Sequence, residues 1–442
     1  MNPKVTVVVP SFNVGPYIGK CLDSILNQTL SEIEVIVVDA NSTDGTREVI
    51  TKYMERDSRL ILVDDIKKST GYAKNIAIDM AKAPYYAIVE SDDYIELDML
   101  EKLYKKAEET GVDFVKANFS TFLGEGDSRY DFPKTVAANP DDYEKVLNPQ
   151  NHPSCFKWIM FEWLGLYRLS FLREKEIRHN ETPGAAFQDT GFWFLSFANA
   201  SSVYLMKDHF YHYRCDNPYA SVKDPKKALN ICVEYDYIYR KLKERSINWN
   251  DIKSEYCRDF FYDNYVVFNR IDKELKPVLV SEMRSVLAKC FDSSINMEIF
   301  DKGELEKLEL LLKSEEDFLA VEKDIENKQL ENEKQLLEKV SLGKDILVYG
   351  AGSYGSNLQY FLHSKDYEIQ AYVDSDLKKQ GTKLNGKEVL PLSIARERYK
   401  SAMYIVSNKI HSEEIFTYLV DQGISDEQIF VCDISKCVKI LI

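Results

Sequence analysis

Four apolar, β-branched runs punctuate the first 115 residues: VTVVV (Val5–Val9), EVIVVDA (Glu34–Ala40), RLILVDD (Arg59–Asp65) and YYAIVESDD (Tyr85–Asp93). Between them, YIGKCLDSILNQTL, STDGTREVITKYMERD and GYAKNIAIDMAK carry apolar residues at helical intervals, the second opening on turn residues. Strands and helices alternating at this spacing predict an open, parallel α/β sheet. Ligands of such sheets bind beyond the carboxyl ends of the strands. Ser11–Asn13, Asp39–Ser42 and Glu90–Asp93 all fall at such ends, so three polar clusters are expected to converge on one crevice.

The pattern then changes. Residues 116–222 are irregular and rich in aromatics. Within them SCFKWIMFEWLGLYRLSFL (Ser154–Leu172) reads as a buried or interfacial helix; Lys157, Glu162 and Arg168 deny it the ~18 uncharged residues of a membrane span. Residues 225–300 read as helical, with Leu229, Val233, Tyr237 and Leu242 on one face. Leu305–Val340 is dominated by Glu, Lys and Leu, a surface helix or helical linker; its stripe of Phe318, Val321 and Ile325 falls short of the ~3 heptads a dimerising coiled coil needs. A second, smaller α/β unit opens at DILVYGAGSYGSNLQYFL (Asp345–Leu362). The expected division is therefore 1–222, 223–344 and 345–442.

Composition narrows the partners. With 57 Lys and Arg against 72 Asp and Glu, the 442-residue chain carries a net charge of −15. That argues against general binding to nucleic acid or anionic lipid. No charged segment followed by an apolar core opens the sequence, so no signal peptide is expected. Eight scattered cysteines, Cys437 among them, form no CxxC pair and are read as free thiols of a reducing cytosol.

Glu90, Asp92 and Asp93 need a cation, a proton or open water, because clustered carboxylates repel. One reading is a solvated acidic patch that also caps the next helix. The other is a divalent cation site, since Mg²⁺ and Mn²⁺ take oxygen ligands and often only one or two protein carboxylates.

VVVPSFNVGPYIGKCLDSILNQT, EVIVVDANSTDGT, GYAKNIAI and VESDDYI, in this order, resemble glycosyltransferase family 2, whose members are inverting sugar transferases of GT-A fold. The resemblance spans residues 4–222 and implies a donor site for a nucleotide sugar, UDP-linked by preference. Pro10, Ser11 and Asn13 would line the nucleoside pocket, and Asp39 would accept a hydrogen bond from a uracil N–H. Asn41 would flank it, as would Ser42, although both also suit a turn before a helix. Lys74 stands where the family usually has arginine, keeping the charge but losing the planar fork. Glu90 would approach the ribose beside Ser91. Asp92, supported by Asp93, would hold Mn²⁺ or Mg²⁺. Asp189 of FQDTGFWF matches the family's catalytic base; the bland alternative is a helix N-cap.

In YHYRCDNPYASVKD, Arg214 and Ser221 would contact the donor diphosphate, while His209 and His212 read as packing histidines. Trp163 of WLGLYR reads as core, and Gly165 stands where lysine is frequent. An acceptor that is a glycan or lipid-linked would set the enzyme in bacterial surface polysaccharide synthesis, cytoplasmic or at the inner face of the membrane. The rival reading is a nonenzymatic nucleotide- or glycan-binding protein with degenerate motifs.

VYGAGSYG fits GxGxxG with Gly350, Gly352 and Gly355, and Asp374 follows about twenty residues later. YVDSDLKKQGTKLNGKEVL resembles small Rossmann-like modules attached to sugar-modifying enzymes and transferases. Three roles stay open: a second site for a nucleotide or nucleotide sugar; packing, homo-oligomerisation or partner docking; and an NAD-dependent redox activity.

Overall fold

A computed structural model describes residues 2–126, 129–221, 224, 227–244, 249–342, 344–407 and 411–432. Val222 and Lys223, at the end of the YHYRCDNPYASVKD segment, and Cys437 lie outside them. The chain divides into two compact units. The first comprises residues 1–119, 135–213 and 217–318, the second residues 120–134, 214–216 and 319–442.

In the first unit the parallel strands β1 (Val5–Ser11), β2 (Ile33–Asp39), β3 (Leu60–Asp64) and β4 (Tyr85–Ile88) alternate with helices α1 (Gly15–Leu26), α2 (Thr46–Met54) and α3 (Thr70–Met80). Every residue of β1 is buried, which is why it reads as an unbroken apolar run rather than an alternating one. β5 (Tyr94–Ile95) and α4 (Met99–Thr110) follow. Then come β6 (Phe114–Leu123), β7 (Tyr130–Lys134), β8 (Val146–Leu147) and β9 (Gly165–Arg168). The series closes with α5 (Leu169–Glu174), α6 (Gln188–Asn199) and β10 (Val203–Arg214). The order across the sheet is β3-β2-β1-β4-β9-β6-β10-β5, with β8 on β10. β9 runs antiparallel to both β4 and β6, so the sheet is parallel on one side and antiparallel on the other.

Two expectations need correction. The fourth strand stops at Ile88; the chain then turns, Asp93 N–H donating to Glu90 C=O at 3.1 Å, so the acidic triplet lies on a loop. Ser154–Leu172 is no helix. It is a 3₁₀ turn (Pro153–Lys157), a second such turn (Glu162–Leu164), strand β9 and the start of α5. Gly165 explains the change: a Cβ there would lie 1.9 Å from the Val115 carbonyl oxygen, so backbone packs on backbone and the segment is drawn into the sheet. Among the described residues, no helix is long and apolar enough to cross a membrane.

The predicted helical stretch is α7 (Asn230–Glu244), α8 (Trp249–Phe268) and α9 (Lys276–Cys290), followed by α10 (Lys302–Lys313) and the 26-residue α11 (Glu315–Val340). The second unit is built on β11 (Ile346–Tyr349), α12 (Ser353–His363), β12 (Ala371–Val373) and the antiparallel pair β13 (Lys383–Leu384) and β14 (Lys387–Leu390). α13 (Leu392–Arg398), β15 (Met403–Val406), α14 (Ser412–Asp421) and β16 (Ile429–Val431) complete it. Its sheet order is β13-β14-β12-β11-β15-β16. The hairpin strand β7, which pairs with β6, belongs to this unit.

Candidate active site

The carboxyl ends of β1 and β2 meet in one hydrogen-bonded corner. Pro10 and Ser11 are in register with Val38 and Asp39. Ser11 is buried, and among the described residues its hydroxyl has no hydrogen-bond partner. Asn13 takes a positive φ of 50°, a conformation asparagine tolerates better than most residues. Its N–H donates to Ser42 Oγ at 2.8 Å, and its side-chain oxygen accepts from Thr43 N–H at 2.9 Å. Asn41 (φ 61°) is exposed beside it. Asp44 ties the corner to the next helix, accepting from Gly15 N–H at 2.9 Å and from Thr46 N–H at 3.1 Å.

Asp39 is fully buried and already has local partners. Ser42 donates both its N–H (3.0 Å) and its hydroxyl (2.6 Å), and Arg47 donates at 2.8 Å while also pairing with Asp64 at 2.8 Å. A carboxylate offers about four lone-pair sites, so three bonds leave one for a further donor.

The loop after β4 carries the acidic residues. Asp92 Oδ2 accepts from the amide of Asn217 at 2.7 Å. Asp93 is buried and accepts from Tyr211 OH at 2.8 Å, while the same phenol oxygen accepts from Glu90 N–H at 2.9 Å. Ser91 is buried between them. Among the described residues, no group of three or more His, Cys, Asp or Glu side chains forms a ready-made metal cage. The donor set at Asp92 still fits a hard cation, for which one carboxylate with phosphate and water oxygens suffices.

Lys74 joins this loop to a residue that the sequence motifs did not point to. On α3, its buried ammonium contacts Glu90 at 2.8 Å and also Glu162. Burial opposes the charge on Lys74, but Glu162 and Glu90 outweigh it and raise the ammonium above its ordinary range. Glu162 is fully buried between Lys74 and His179. Burial works against its ionisation too; Lys74 and His179 prevail and hold it at about 2. His179 stacks on Phe192, rings 4.2 Å apart and 6° from parallel, and burial lowers its pKa. Asn75 fixes its backbone from α3, taking its N–H at 2.9 Å and donating to its C=O at 3.0 Å.

Asp189 enters from the opposite side of the sequence. It is the second residue of α6, not its N-cap; Phe187 holds the cap position with φ 65°. Gln188 braces the preceding loop, accepting from Ala186 N–H at 2.6 Å and donating to Thr182 Oγ1 at 2.9 Å. Burial raises Asp189 to about 7, Glu162 and Glu90 adding to the rise and Lys74 opposing it. Glu90, Lys74, Glu162 and Asp189 therefore share one electrostatic environment, although they come from four separate stretches of chain. Behind α6, Glu234 of α7 is fully buried, accepts from Asn180 at 2.9 Å and is raised by burial to about 8.

The remaining expected residues have partners of their own. Arg214 ends β10 within the second unit, paired with Glu125 at 2.6 Å and Asp216 at 3.1 Å. Ser221 accepts a backbone bond from Asp224 at 3.2 Å. His209 bonds to the Phe119 carbonyl at 2.9 Å; His212 bonds to Glu96 at 2.7 Å and stacks on Tyr94, as packing histidines do. Trp163 is buried in a stack with Tyr211 (4.0 Å) and Phe161 (4.7 Å).

In the second unit Gly350 has φ 110°, and a Cβ on Gly355 would lie 2.0 Å from the Gly350 carbonyl, so both positions require glycine. Gly352 is the residue before α12. Asp374 closes the loop on itself: Oδ2 accepts from Ala351 N–H at 2.8 Å and from Lys379 at 3.0 Å, and Oδ1 from Asp376 N–H at 2.9 Å.

Comparison with known proteins agrees with this architecture. Residues 6–198 match the family described as glycosyl transferase family 2, and residues 342–430 match C2185-like, N-terminal. The uncharacterized glycosyltransferase EpsJ of Bacillus subtilis is 30% identical over 54% of this chain and 68% of its own length. Glycosyltransferase GlyG of Streptococcus pneumoniae is 32% identical over 48% of this chain and 71% of its own. The structure of S. aureus TarS 1–349 in complex with UDP-GlcNAc overlaps 63% of this chain and 87% of its own, at 20% identity and a TM-score of 0.42. The chain belongs to glycosyltransferase family 2.

Proposed function

We propose that the protein is an inverting glycosyltransferase that moves a sugar from a nucleotide donor, UDP-linked by preference, to a hydroxyl of a glycan or lipid-linked acceptor. The observation that supports this reading is the run of contacts from Glu90 through Lys74, Glu162 and His179 to Phe192, which lies one turn beyond Asp189 on α6. It joins a base to the donor loop across a hundred residues of sequence.

In this reading Ser11, Asn13 and Asp39 receive the nucleoside, and the unpartnered Ser11 hydroxyl is a polar group awaiting one. Asp92, with Asp93 behind it, would hold Mn²⁺ or Mg²⁺, and the bound ion would supply charge neutralisation for a leaving diphosphate. The acceptor oxygen forms its bond to the anomeric carbon on the face away from the diphosphate, and the bond to the diphosphate oxygen breaks. Asp189 takes the hydroxyl proton as this happens. A base near 7 suits the task, because at neutral pH about half of it is ionised and it is basic enough to accept the proton. A role in surface polymer synthesis is supported by a poly(ribitol-phosphate) beta-glucosyltransferase of Bacillus spizizenii, 29% identical over 48% of this chain and 32% of its own length.

A panel of UDP-sugars with Mn²⁺ tests the reading. Asp189→Asn should bind donor normally and lose ~10²- to 10⁴-fold in kcat. Asp92→Asn should lose the metal-dependent rate. Nucleotide binding with no turnover of any donor, in water or with glycan acceptors, would leave a binding module instead.

A further inference from the structure

We propose that Glu162 is a positioning residue of the transfer site: its buried carboxylate clamps Lys74 against Glu90 and so keeps that ammonium from pairing with Asp189. The inference rests on the reading of Asp189 as the base.

A carboxylate buried without partners costs several kcal/mol, so its partners say what it is for. Glu162 has two, Lys74 and His179, and each is fixed independently. α3 carries Lys74, and Ser69 caps that helix through a bond from Tyr72 N–H. Asn75, the next residue of α3, grips the backbone of His179 through both of its amide ends. The His179 ring lies flat on Phe192, one turn beyond Asp189 on α6. α3, α6 and the turn before β9 are thus locked around one carboxylate. Gly71 permits the approach: a Cβ there would sit 2.0 Å from the Asn180 carbonyl oxygen.

The groups acting on Asp189 come from every neighbouring element. Glu162 precedes β9, Lys74 is on α3, Glu90 follows β4, Glu234 is on α7 and Asp263 is on α8. Lys74 is the one cation among these five, and its contacts are to Glu162 and Glu90. Among the described residues Asp189 has no ion pair of its own. An arginine or lysine free to pair with it would hold it ionised and make it a poor proton acceptor. Glu162, together with Glu90, prevents that by occupying the cation.

The test is a ¹³C-carboxyl NMR titration of the full chain, with the Asp189 signal assigned by its loss in Asp189→Asn. The wild-type midpoint is expected at about 7. Glu162→Gln removes one of the two carboxylates that hold Lys74, and with it a negative charge that raises Asp189; it is expected to move the midpoint down by ~1 pH unit, whereas Glu162→Asp, which keeps the charge and the clamp, restores it. In turnover of a UDP-sugar, the acid limb of kcat should move with the midpoint. A wild-type midpoint in the ordinary carboxylate range overturns the proposal even if the glutamine variant does not fold. So does a folded Glu162→Gln protein that titrates like wild type. Full turnover by Asp189→Asn with these shifts intact would instead remove the base assignment alone.

Discussion

A single lysine illustrates how much of the site can be read from residue types. GYAKN identifies Lys74 as a cation at the donor crevice, yet its contacts are to Glu90 and to Glu162, 88 residues further on. Sequence spacing says nothing about such partners, because a buried ion pair is completed only by tertiary packing. The signal that could have found Glu162 was a lone acid in an aromatic stretch with no helical face to expose it. The same buried carboxyls make stability depend on pH. Burial raises Asp189 and Asp263 to about 7 and Glu234 to about 8, all above their unfolded values. From about pH 4 to 8 the folded chain therefore holds protons that the unfolded chain has released, and stability falls as pH rises through this window. Glu162, held at about 2, works the other way: its contribution is complete above its unfolded value and lost as pH falls toward 2. The urea midpoint should be higher at pH 5.5 than at pH 8, and Glu234→Gln should flatten that slope, by on the order of 1–3 kcal/mol across the range. A slope unchanged in the variant would place the pH dependence elsewhere.

Among the secondary-structure elements, the parallel half of the first sheet was legible and the antiparallel half was not. β1, β2 and β4 are buried on both faces, so each leaves a run of apolar residues that the helices between them punctuate; β3, at the sheet edge, keeps an apolar run although it is half exposed. β6, β9 and β10 instead sit among aromatics and carry lysine, arginine and histidine, which hides their period. β9 is the clearest case. WLGLYR looks helical until Gly165 is seen to lie against the Val115 carbonyl, a contact that also explains why no lysine stands there. Gly165→Ala should push β9 away from β6 and cost about 1–3 kcal/mol in urea unfolding. Gly303→Ala is the control, because a Cβ there meets nothing within 4 Å. Equal midpoints for the two variants would show that β9 is free to shift.

Over the whole molecule, the alternation of strands and helices announced two α/β units, but not that residues 120–134 and 214–216 group with the second. No local pattern could, because the partners are distant in the chain: those of Asp131 lie 225 and 254 residues away, and Arg214 pairs with Glu125 across 89 residues. Phe132 of β7 is fully buried and meets the Tyr360 ring edge-on at 6.2 Å, with Tyr130 at 5.5 Å from the same ring. Between them, Asp131 N–H donates to Asn385 at 2.9 Å and its C=O accepts from Ser356 at 2.9 Å. Tyr130, Asp131 and Phe132 of β7 therefore pack on α12 and the turn at 385. A chain ending at residue 344 loses both and leaves Phe132 and Tyr130 in water. That chain should bind a hydrophobic dye, melt earlier than the full protein and aggregate at lower concentration. Deletion is thus the wrong test of whether the glycine loop serves the transferase. A substitution discriminates: Phe132→Ala should cost about 3–5 kcal/mol in the full chain, where it opens a cavity, and nearly nothing in the truncated one. An equal cost in both chains would mean that β7 is held by something other than α12.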